Sequence, residues 1–170
     1  MKYVLIILSL ALSFTACKKK TSNECTSTAG TTVAPAAEED MVIKYLDSMQ
    51  ITNRVELENS GMYYVIDSTG NTKKPGQCSA ITIKYKGYYR NGTVFDQTTG
   101  SNSTSFTLGG LIEGWKRALP LVGEAGKIRL FIPPSLGYGP AGYLDSRTGL
   151  YIIPPNAVLI FEISLLAVTN

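Results

Sequence analysis

The sequence predicts an α+β fold in which a curved, mostly antiparallel β-sheet of five to six strands wraps around one short α-helix, preceded by a short N-terminal helix. Three observations predict this class. Several segments alternate apolar and polar residues with a period of two, as strands with one exposed face do. Only one strong helical pattern follows residue 60, at Leu111–Leu119. Turn signals such as Asn91-Gly92 and Pro133-Pro134 separate the segments.

The strands are predicted from that alternation. Ser79–Tyr89 gives the clearest pattern, because Ile81 and Ile83 alternate with Thr82 and Lys84. The other predicted strands are Gly61–Asp67, Thr93–Asp96, Thr104–Leu108, Lys127–Ile132 and Val158–Val168.

Two helices are predicted. Leu111–Leu119 places Ile112 and Trp115 on one side and is ended by Pro120. Glu38–Val55 is amphipathic, and its acidic first residues suit a helix N-terminus. We expect its apolar face to pack on its own domain, although pairing with a second copy is an alternative. That face is predicted to consist of Met41, Ile43, Tyr45, Leu46, Met49 and Ile51.

The first residues predict a secretory signal instead of a folded element. Lys2 precedes the apolar run Tyr3–Leu12, which is shorter than the roughly 20 residues of a transmembrane helix. The ending Phe14-Thr15-Ala16-Cys17 resembles a bacterial lipobox, which predicts that Cys17 is lipidated and becomes the first residue of the mature protein. An ordinary cleaved signal with a cysteine nearby is the alternative. We therefore expect a lipid anchor in a bacterial cell envelope. The periplasm-facing side of the outer membrane is favoured, and exposure at the cell surface is left open.

The organisation of the chain follows from its composition. The segment after the signal is rich in Lys, Thr, Ser, Ala and Pro, which leave little to bury, so a flexible tether is expected. An oxidising envelope allows Cys25 and Cys78 to pair, but nothing in the sequence brings their backbones together. The predicted units are a signal peptide over 1–16, a tether over 17–37, a short helical segment over 38–59 and a globular domain over 60–170.

Several kinds of site are excluded. The chain has no histidine, so no Ser–His or Cys–His pair and no imidazole ligand exists, and neither a metal nor a cofactor is expected. The net charge of +3 is too small to argue for nucleic acid as a partner. Gly137–Gly142 matches the G-x-G-x-x-G pattern of dinucleotide sites by letter. Two prolines separate it from the preceding strand and no helical pattern follows, so a phosphate site is not predicted there.

Five short motifs carry the candidate chemistry. They are Tyr85-Lys86-Gly87, Gly92-Thr93-Val94-Phe95-Asp96, Leu111-Ile112-Glu113-Gly114-Trp115, Gly137-Tyr138-Gly139 and Ile152-Ile153-Pro154-Pro155-Asn156-Ala157. In this order and spacing, apart from one insertion, they resemble the FKBP family of prolyl isomerases over roughly Gly61 to Val168.

The resemblance implies a peptidyl-prolyl cis–trans isomerase that assists the folding of exported proteins. It places Trp115 at the floor of an apolar pocket, Asp96 and the Tyr138 hydroxyl at its rim, and the Ile112 amide as a donor to a peptide carbonyl. The implied substrates are unfolded or partly folded polypeptides that contain proline, and macrolide immunosuppressants are implied ligands. The catalytic set is Asp96, Tyr138, Tyr85, Phe95, Trp115 and Phe161, and the substrate-binding set is Phe106, Leu111, Ile112 and Ile153.

The residue types fit this reaction. Rotation of an X–Pro peptide bond breaks no bond and moves no proton, so it requires no nucleophile, metal or general base. The twisted amide has lost resonance and part of its charge separation, so a dry pocket disfavours the planar ground state more than the transition state. The alternative is a non-catalytic peptide-binding module or holdase that uses the same groove. An inactive relative would be expected to have lost Asp96, Tyr138 or Trp115, and this chain keeps all three.

Three departures from the family pattern have expected consequences. Glu113 stands where many relatives carry other polar residues, and it is expected to alter the charge preference for substrates. Leu111 is larger than the commoner valine and is expected to narrow the pocket. The loop between Tyr138 and Ile152 is longer than in minimal family members, by Tyr143–Tyr151 or part of it. Because loops over an apolar cleft tend to select substrates, we expect this one to bias selectivity.

Overall fold

A computed structural model describes residues 26–170 of the chain. The predicted signal peptide, the predicted lipidation site Cys17 and the cysteine at 25 lie outside the described residues. In chain order the elements are α1 (Ala36–Ser48), β1 (Val55–Glu56), β2 (Tyr63–Ser68), β3 (Ala80–Tyr89), β4 (Val94–Gln97), β5 (Thr104–Thr107), α2 (Glu113–Ala118), β6 (Lys127–Ile132), β7 (Tyr143–Leu144), β8 (Tyr151–Ile153) and β9 (Leu159–Thr169).

An antiparallel sheet forms the centre of the described part of the chain. Seven strands are arranged in the order β1-β2-β6-β9-β3-β4, and β5 also pairs with β3. β3 and β9 pair along their lengths, from Ala80↔Thr169 to Tyr89↔Leu159. The predicted α+β class is confirmed. The sheet exceeds the predicted five to six strands because β1, only two residues long, pairs at one edge and is too short to show an alternating pattern.

α2 packs against the core face of this sheet. It begins at Glu113, two residues later than predicted, because Ile112 has an extended backbone with ψ of 155°. Trp115, Ala118 and Leu119 are all buried on its inner side. A Cβ on Gly114 would lie 2.8 Å from Ile132, so glycine permits the close approach of helix and sheet.

α1 packs on the opposite face of the sheet, as expected for a helix that covers its own domain. Its buried residues are Val42, Tyr45 and Leu46, which lie in a second hydrophobic cluster with Phe131 and Ile160. The buried residues of α1 are therefore covered by the sheet of the same chain.

The predicted extent and face of α1 were partly wrong. The helix ends at Ser48 instead of Val55, since Gln50 adopts a left-handed backbone with φ of 53°. Met49, predicted on the buried face, is consequently 56% exposed. Val42 is fully buried although the predicted face did not include it.

The described part of the predicted flexible tether is held against the domain. Ala34 is buried in the main core, and its amide donates to the Ser60 carbonyl at 2.9 Å. Arg117 donates to the Thr32 carbonyl at 2.7 Å. Hydrogen bonds to the backbone thus hold this segment at Thr32 and Ala34, although its side chains bury little.

Two further observations relate to the predicted location in the cell envelope. Cys78 is disulfide-bonded, and both other cysteines lie outside the described residues. Between residues 26 and 170, no helix combines the length and the apolar character that crossing a membrane requires.

Candidate functional site

A cleft of about 190 Å³ opens between α2 and the strands β3, β4 and β9, on the core side of the sheet. It is lined by Tyr85, Phe95, Asp96, Phe106, Leu111, Ile112, Trp115, Tyr138 and Phe161. Positions from six separate parts of the sequence thus meet around one apolar space. Ile153 is the predicted pocket residue that the lining does not include.

Aromatic rings form the floor and one wall. Trp115 is only 4% exposed, and its ring centroid lies 5.0 Å from that of Phe161 at an angle of 88°. Tyr85 meets Trp115 edge-on at 5.6 Å, and Phe95 meets Phe161 edge-on at 5.5 Å. Edge-to-face pairs of this kind stabilise by about 0.5–1.5 kcal/mol beyond the burial of their area. The rings therefore fix one another in position.

Gly87 permits this packing. A Cβ at that position would lie 2.7 Å from the Phe95 ring and 2.8 Å from the Phe161 ring. Gly87 also pairs with Asp96 across β3 and β4. The glycine two residues after Tyr85 thus lets two strands bring their aromatic side chains into contact beside the cleft.

The polar rim consists of Asp96 and two tyrosine hydroxyls. The Tyr85 hydroxyl donates a hydrogen bond to the Asp96 carboxylate. Burial raises the pKa of Tyr85, and the hydrogen bond to Asp96 and its charge raise it further. Burial also raises the pKa of Tyr138, with added contributions from Tyr143 and Asp96. Both phenols therefore remain protonated near neutral pH and can donate hydrogen bonds.

Trp115 in α2 and Ile112 at the N-cap of α2 contribute a buried donor and a fixed backbone to the cleft. The Trp115 Nε1 atom is buried, and none of residues 26–170 accepts a hydrogen bond from it. Ile112 forms the N-cap of α2, and its carbonyl accepts hydrogen bonds from the amides of Trp115 and Lys116 at 3.0 and 3.2 Å. These bonds fix the orientation of the backbone at one edge of the cleft.

Ile153 lies in the hydrophobic core and is 2% exposed. Its neighbour Ile152 is 39% exposed, and the Ile152 carbonyl accepts a hydrogen bond from the Tyr89 hydroxyl. Tyr89 also packs its ring 5.0 Å from that of Phe95. Tyr89 was not among the predicted site residues, although the period of β3 places it on the same face as Tyr85.

A second, larger groove of about 360 Å³ lies elsewhere on the sheet. Half of its lining residues are charged, among them Lys84, Lys127, Arg129, Asp67 and Glu162. Such a lining keeps water in place, which does not suit chemistry that depends on a dry pocket. The smaller aromatic cleft is therefore the better candidate for the reaction.

The chain is similar to a family of known proteins. Residues 71–166 match the family described as FKBP-type peptidyl-prolyl cis-trans isomerase. The chain is 33% identical over 126 residues to the FKBP-type peptidyl-prolyl cis-trans isomerase FkpA of Escherichia coli K12, an alignment that covers 74% of this chain and 44% of that protein. It is 36% identical over 110 residues to the outer membrane protein MIP of Legionella longbeachae, covering 64% of this chain and 45% of that protein. The chain thus spans about half the length of the curated relatives that it matches.

Solved structures share the fold. A crystal structure of FkpA from Escherichia coli superposes with a TM-score of 0.66 at 32% identity, covering 79% of this chain and 60% of that chain. A crystal structure of a peptidyl-prolyl cis-trans isomerase from Pseudomonas syringae gives a TM-score of 0.65 at 28% identity, covering 83% of this chain and all of that chain.

Proposed function

Because the chain belongs to the family of FKBP-type peptidyl-prolyl cis-trans isomerases, we propose that it catalyses the cis–trans isomerisation of peptide bonds that precede proline. The observation that carries this proposal is the cleft itself. Apolar and aromatic side chains surround a small space, and Asp96 and the tyrosines Tyr85 and Tyr138 are part of its lining. The proposed substrates are unfolded or partly folded polypeptides that expose proline.

The reaction needs no bond cleavage, only a lower barrier to rotation. Resonance holds the planar peptide bond with a barrier of about 18–20 kcal/mol, and the uncatalysed X–Pro bond isomerises over tens to hundreds of seconds. Enclosure among Trp115, Phe95 and Phe161 removes water from the planar, charge-separated amide. The twisted amide loses less by leaving water, so the pocket favours it, and each 1.36 kcal/mol of that difference gives a tenfold faster rate.

Each polar group has a proposed role at the rim. The Asp96 carboxylate, held by the Tyr85 hydroxyl, faces the side of the cleft where the substrate carbonyl rotates. Tyr138 is 37% exposed, and its hydroxyl donates a hydrogen bond to the peptide as the peptide enters the cleft. The Ile112 amide donates to a carbonyl on the other side of proline, so that one end of the substrate is held while the other rotates.

The rival function is a holdase that grips proline-containing segments without isomerising them. The two are separated by NMR exchange spectroscopy on a short Ala-Pro peptide in excess over the full-length protein. The proposed enzyme raises the exchange rate between the cis and trans peptide signals at substoichiometric protein. A holdase broadens or shifts those signals and leaves the exchange rate at its value in buffer.

The proposed site of action is the bacterial cell envelope, with Cys17 as a lipid anchor. The lipobox-like sequence before Cys17 supports this, and one relative is named an outer membrane protein. Fractionation of cells that express the wild type or Cys17→Ser tests the anchor. We expect the wild type in the membrane fraction and the variant in the soluble fraction. The same distribution for both proteins would contradict the proposed lipid anchor.

Macrolide immunosuppressants are proposed as ligands of the same cleft. Such a ligand would compete with peptide for the aromatic floor at Trp115. Inhibition of peptide isomerisation by rapamycin tests this, and activity that persists at a saturating concentration would contradict it.

A further inference from the structure

An apolar surface adjoins the cleft at the β7–β8 hairpin. Within residues 26–170, eleven large hydrophobic side chains are exposed, and six of them fall between positions 138 and 152. They are Tyr138, Tyr143, Leu144, Leu150, Tyr151 and Ile152, with exposed fractions of 37, 50, 47, 70, 53 and 39%. Exposed apolar residues gathered in one place mark a binding surface more often than scattered ones do.

The hairpin is ordered by its own hydrogen bonds. β7 pairs with β8 through Tyr143↔Ile153 and Leu144↔Tyr151. At the tip, the Asp145 amide donates to the Leu150 carbonyl at 2.9 Å, and the Gly149 amide donates to the Asp145 carbonyl at 2.8 Å. The apolar side chains are therefore displayed on a defined backbone.

The hairpin is continuous with the cleft. Tyr138 lines the cleft, and its ring centroid lies 5.7 Å from that of Tyr143. The Tyr89 hydroxyl, whose ring packs on Phe95 in the cleft wall, donates to the Ile152 carbonyl. Gly142, with φ of 65°, lies between Tyr138 and Tyr143. A Cβ there would lie 2.4 Å from the Ile153 carbonyl oxygen, so the close approach of the two strands requires glycine.

The tip carries little net charge. Asp145 forms an ion pair with Arg147 at 3.5 Å, and its carboxylate accepts a hydrogen bond from the Arg147 amide at 2.9 Å. The surface therefore offers apolar contact and no strong electrostatic selection. A cleft of about 190 Å³ accommodates proline and its nearest atoms, so the rest of a longer polypeptide must leave it along the surface.

We propose that the β7–β8 hairpin is a second subsite, which binds aromatic and aliphatic side chains of the same polypeptide whose X–Pro bond occupies the cleft. The inference rests on the proposed isomerase function and specifies its substrate class. Preferred substrates are unfolded segments with leucine or aromatic residues a few positions from proline. The continuity through Tyr138 favours a substrate chain as the occupant over a second copy of this protein.

The test compares the full-length wild type with the double variant Leu150→Ser/Tyr151→Ser. Leu166→Ser is the matched control, because Leu166 is 42% exposed on β9 and outside the hairpin. The substrates are an Ala-Pro tetrapeptide and two ten-residue peptides that contain it. One of these carries Leu and Phe beside the tetrapeptide sequence, and the other carries Ser and Gly at the same positions. Burial of one or two such side chains predicts an advantage of about tenfold in kcat/KM for the apolar extension.

We expect the double variant to lose that advantage while its tetrapeptide rate stays unchanged, and Leu166→Ser to keep both. An advantage that persists in the double variant would overturn the proposal. The proposal would also be overturned if the double variant differed from the wild type only in the mass measured by sedimentation. The hairpin would then join copies of the chain.

Failure of the isomerase proposal gives a different result. In that case the wild type does not accelerate the tetrapeptide. Fluorescence anisotropy with labelled ten-residue peptides still tests the hairpin: weaker binding of the apolar peptide by the double variant supports the subsite, and equal binding by the two proteins refutes it.

Discussion

The Tyr85 hydroxyl donates a hydrogen bond to the Asp96 carboxylate across neighbouring strands β3 and β4. Tyr85 is thereby tied to two parts of the site at once, since its ring also meets Trp115 edge-on at 5.6 Å. Asp96 is exposed, and an exposed carboxylate would otherwise sample several rotamers. The bond gives it one orientation beside the apolar cleft.

Tyr85→Phe separates these two contributions. The variant keeps the ring against Trp115 but releases Asp96. We therefore expect kcat/KM for X–Pro peptides to fall about three- to tenfold, which corresponds to the loss of one hydrogen bond worth about 1 kcal/mol. The free energy of unfolding should change little. Peptide isomerisation and thermal unfolding measure the two effects. Tyr151→Phe, which removes an exposed hydroxyl from the hairpin, is the control. Equal rates for Tyr85→Phe and wild type would show that Asp96 needs no such anchor.

Gly87→Ala is expected to disturb the wall of the cleft. The added methyl would lie 2.7 Å from Phe95 and 2.8 Å from Phe161, and overpacking of this kind costs about 1–3 kcal/mol. Denaturant unfolding should show that loss, accompanied by lower isomerase activity. Gly110→Ala is the matched control, since none of the described residues would lie within 4 Å of a Cβ added there. A Gly87→Ala protein as stable and active as Gly110→Ala would contradict the packing account.

Trp115 provides an optical test of occupancy. It is the only tryptophan in the chain, it is buried at the floor of the cleft, and none of the described residues accepts a hydrogen bond from its Nε1 atom. A proline peptide or macrolide that enters the cleft should change its fluorescence in a saturable way. A titration with no spectral change, under conditions where calorimetry detects binding, would place the ligand elsewhere.

Glu124 is expected to make the free energy of unfolding depend on pH in the acidic range. The hydrogen bond from the Val168 amide, helped by Lys73 and Asn71, lowers the pKa of Glu124 to about 2. A carboxylate whose folded pKa lies below its unfolded value stabilises the fold at higher pH. That stabilisation is lost as the pH falls from about 4.5, the ordinary value, towards 2.

Glu124→Gln should therefore be less stable than the wild type at pH 7, and the difference should shrink between pH 4.5 and 2. Urea unfolding at a series of pH values measures it. A difference that stays constant across that range would assign the role of Glu124 to neutral hydrogen bonding alone.

Long elements and the family motifs were predictable from the sequence. Lys127–Ile132 was placed with its full extent, because a six-residue alternation is a strong signal. The motifs at Tyr85, Asp96 and Trp115 likewise indicated positions that the fold brings together at one cleft. Their individual roles in binding and catalysis remain predictions.

Features that depend on contacts between distant residues were not predictable. β7 and β8 have two and three residues, too few for a period, and they exist through pairing across an inserted loop. The end of α1 depends on the left-handed backbone of Gln50. The segment around Thr32 was expected to be flexible because its composition offers little to bury, but Arg117 binds its carbonyl, a contact that composition does not indicate.

We propose that the aromatic cleft isomerises X–Pro bonds with Asp96 and Tyr138 at its rim. The most direct measurement is the rate of cis-to-trans conversion of short X–Pro peptides by the full-length protein, beside Asp96→Val and Tyr138→Phe. We expect clear acceleration by the wild type and a lower kcat/KM for both variants, with all three proteins folded by circular dichroism. A folded wild type that converts the peptides no faster than buffer would contradict it.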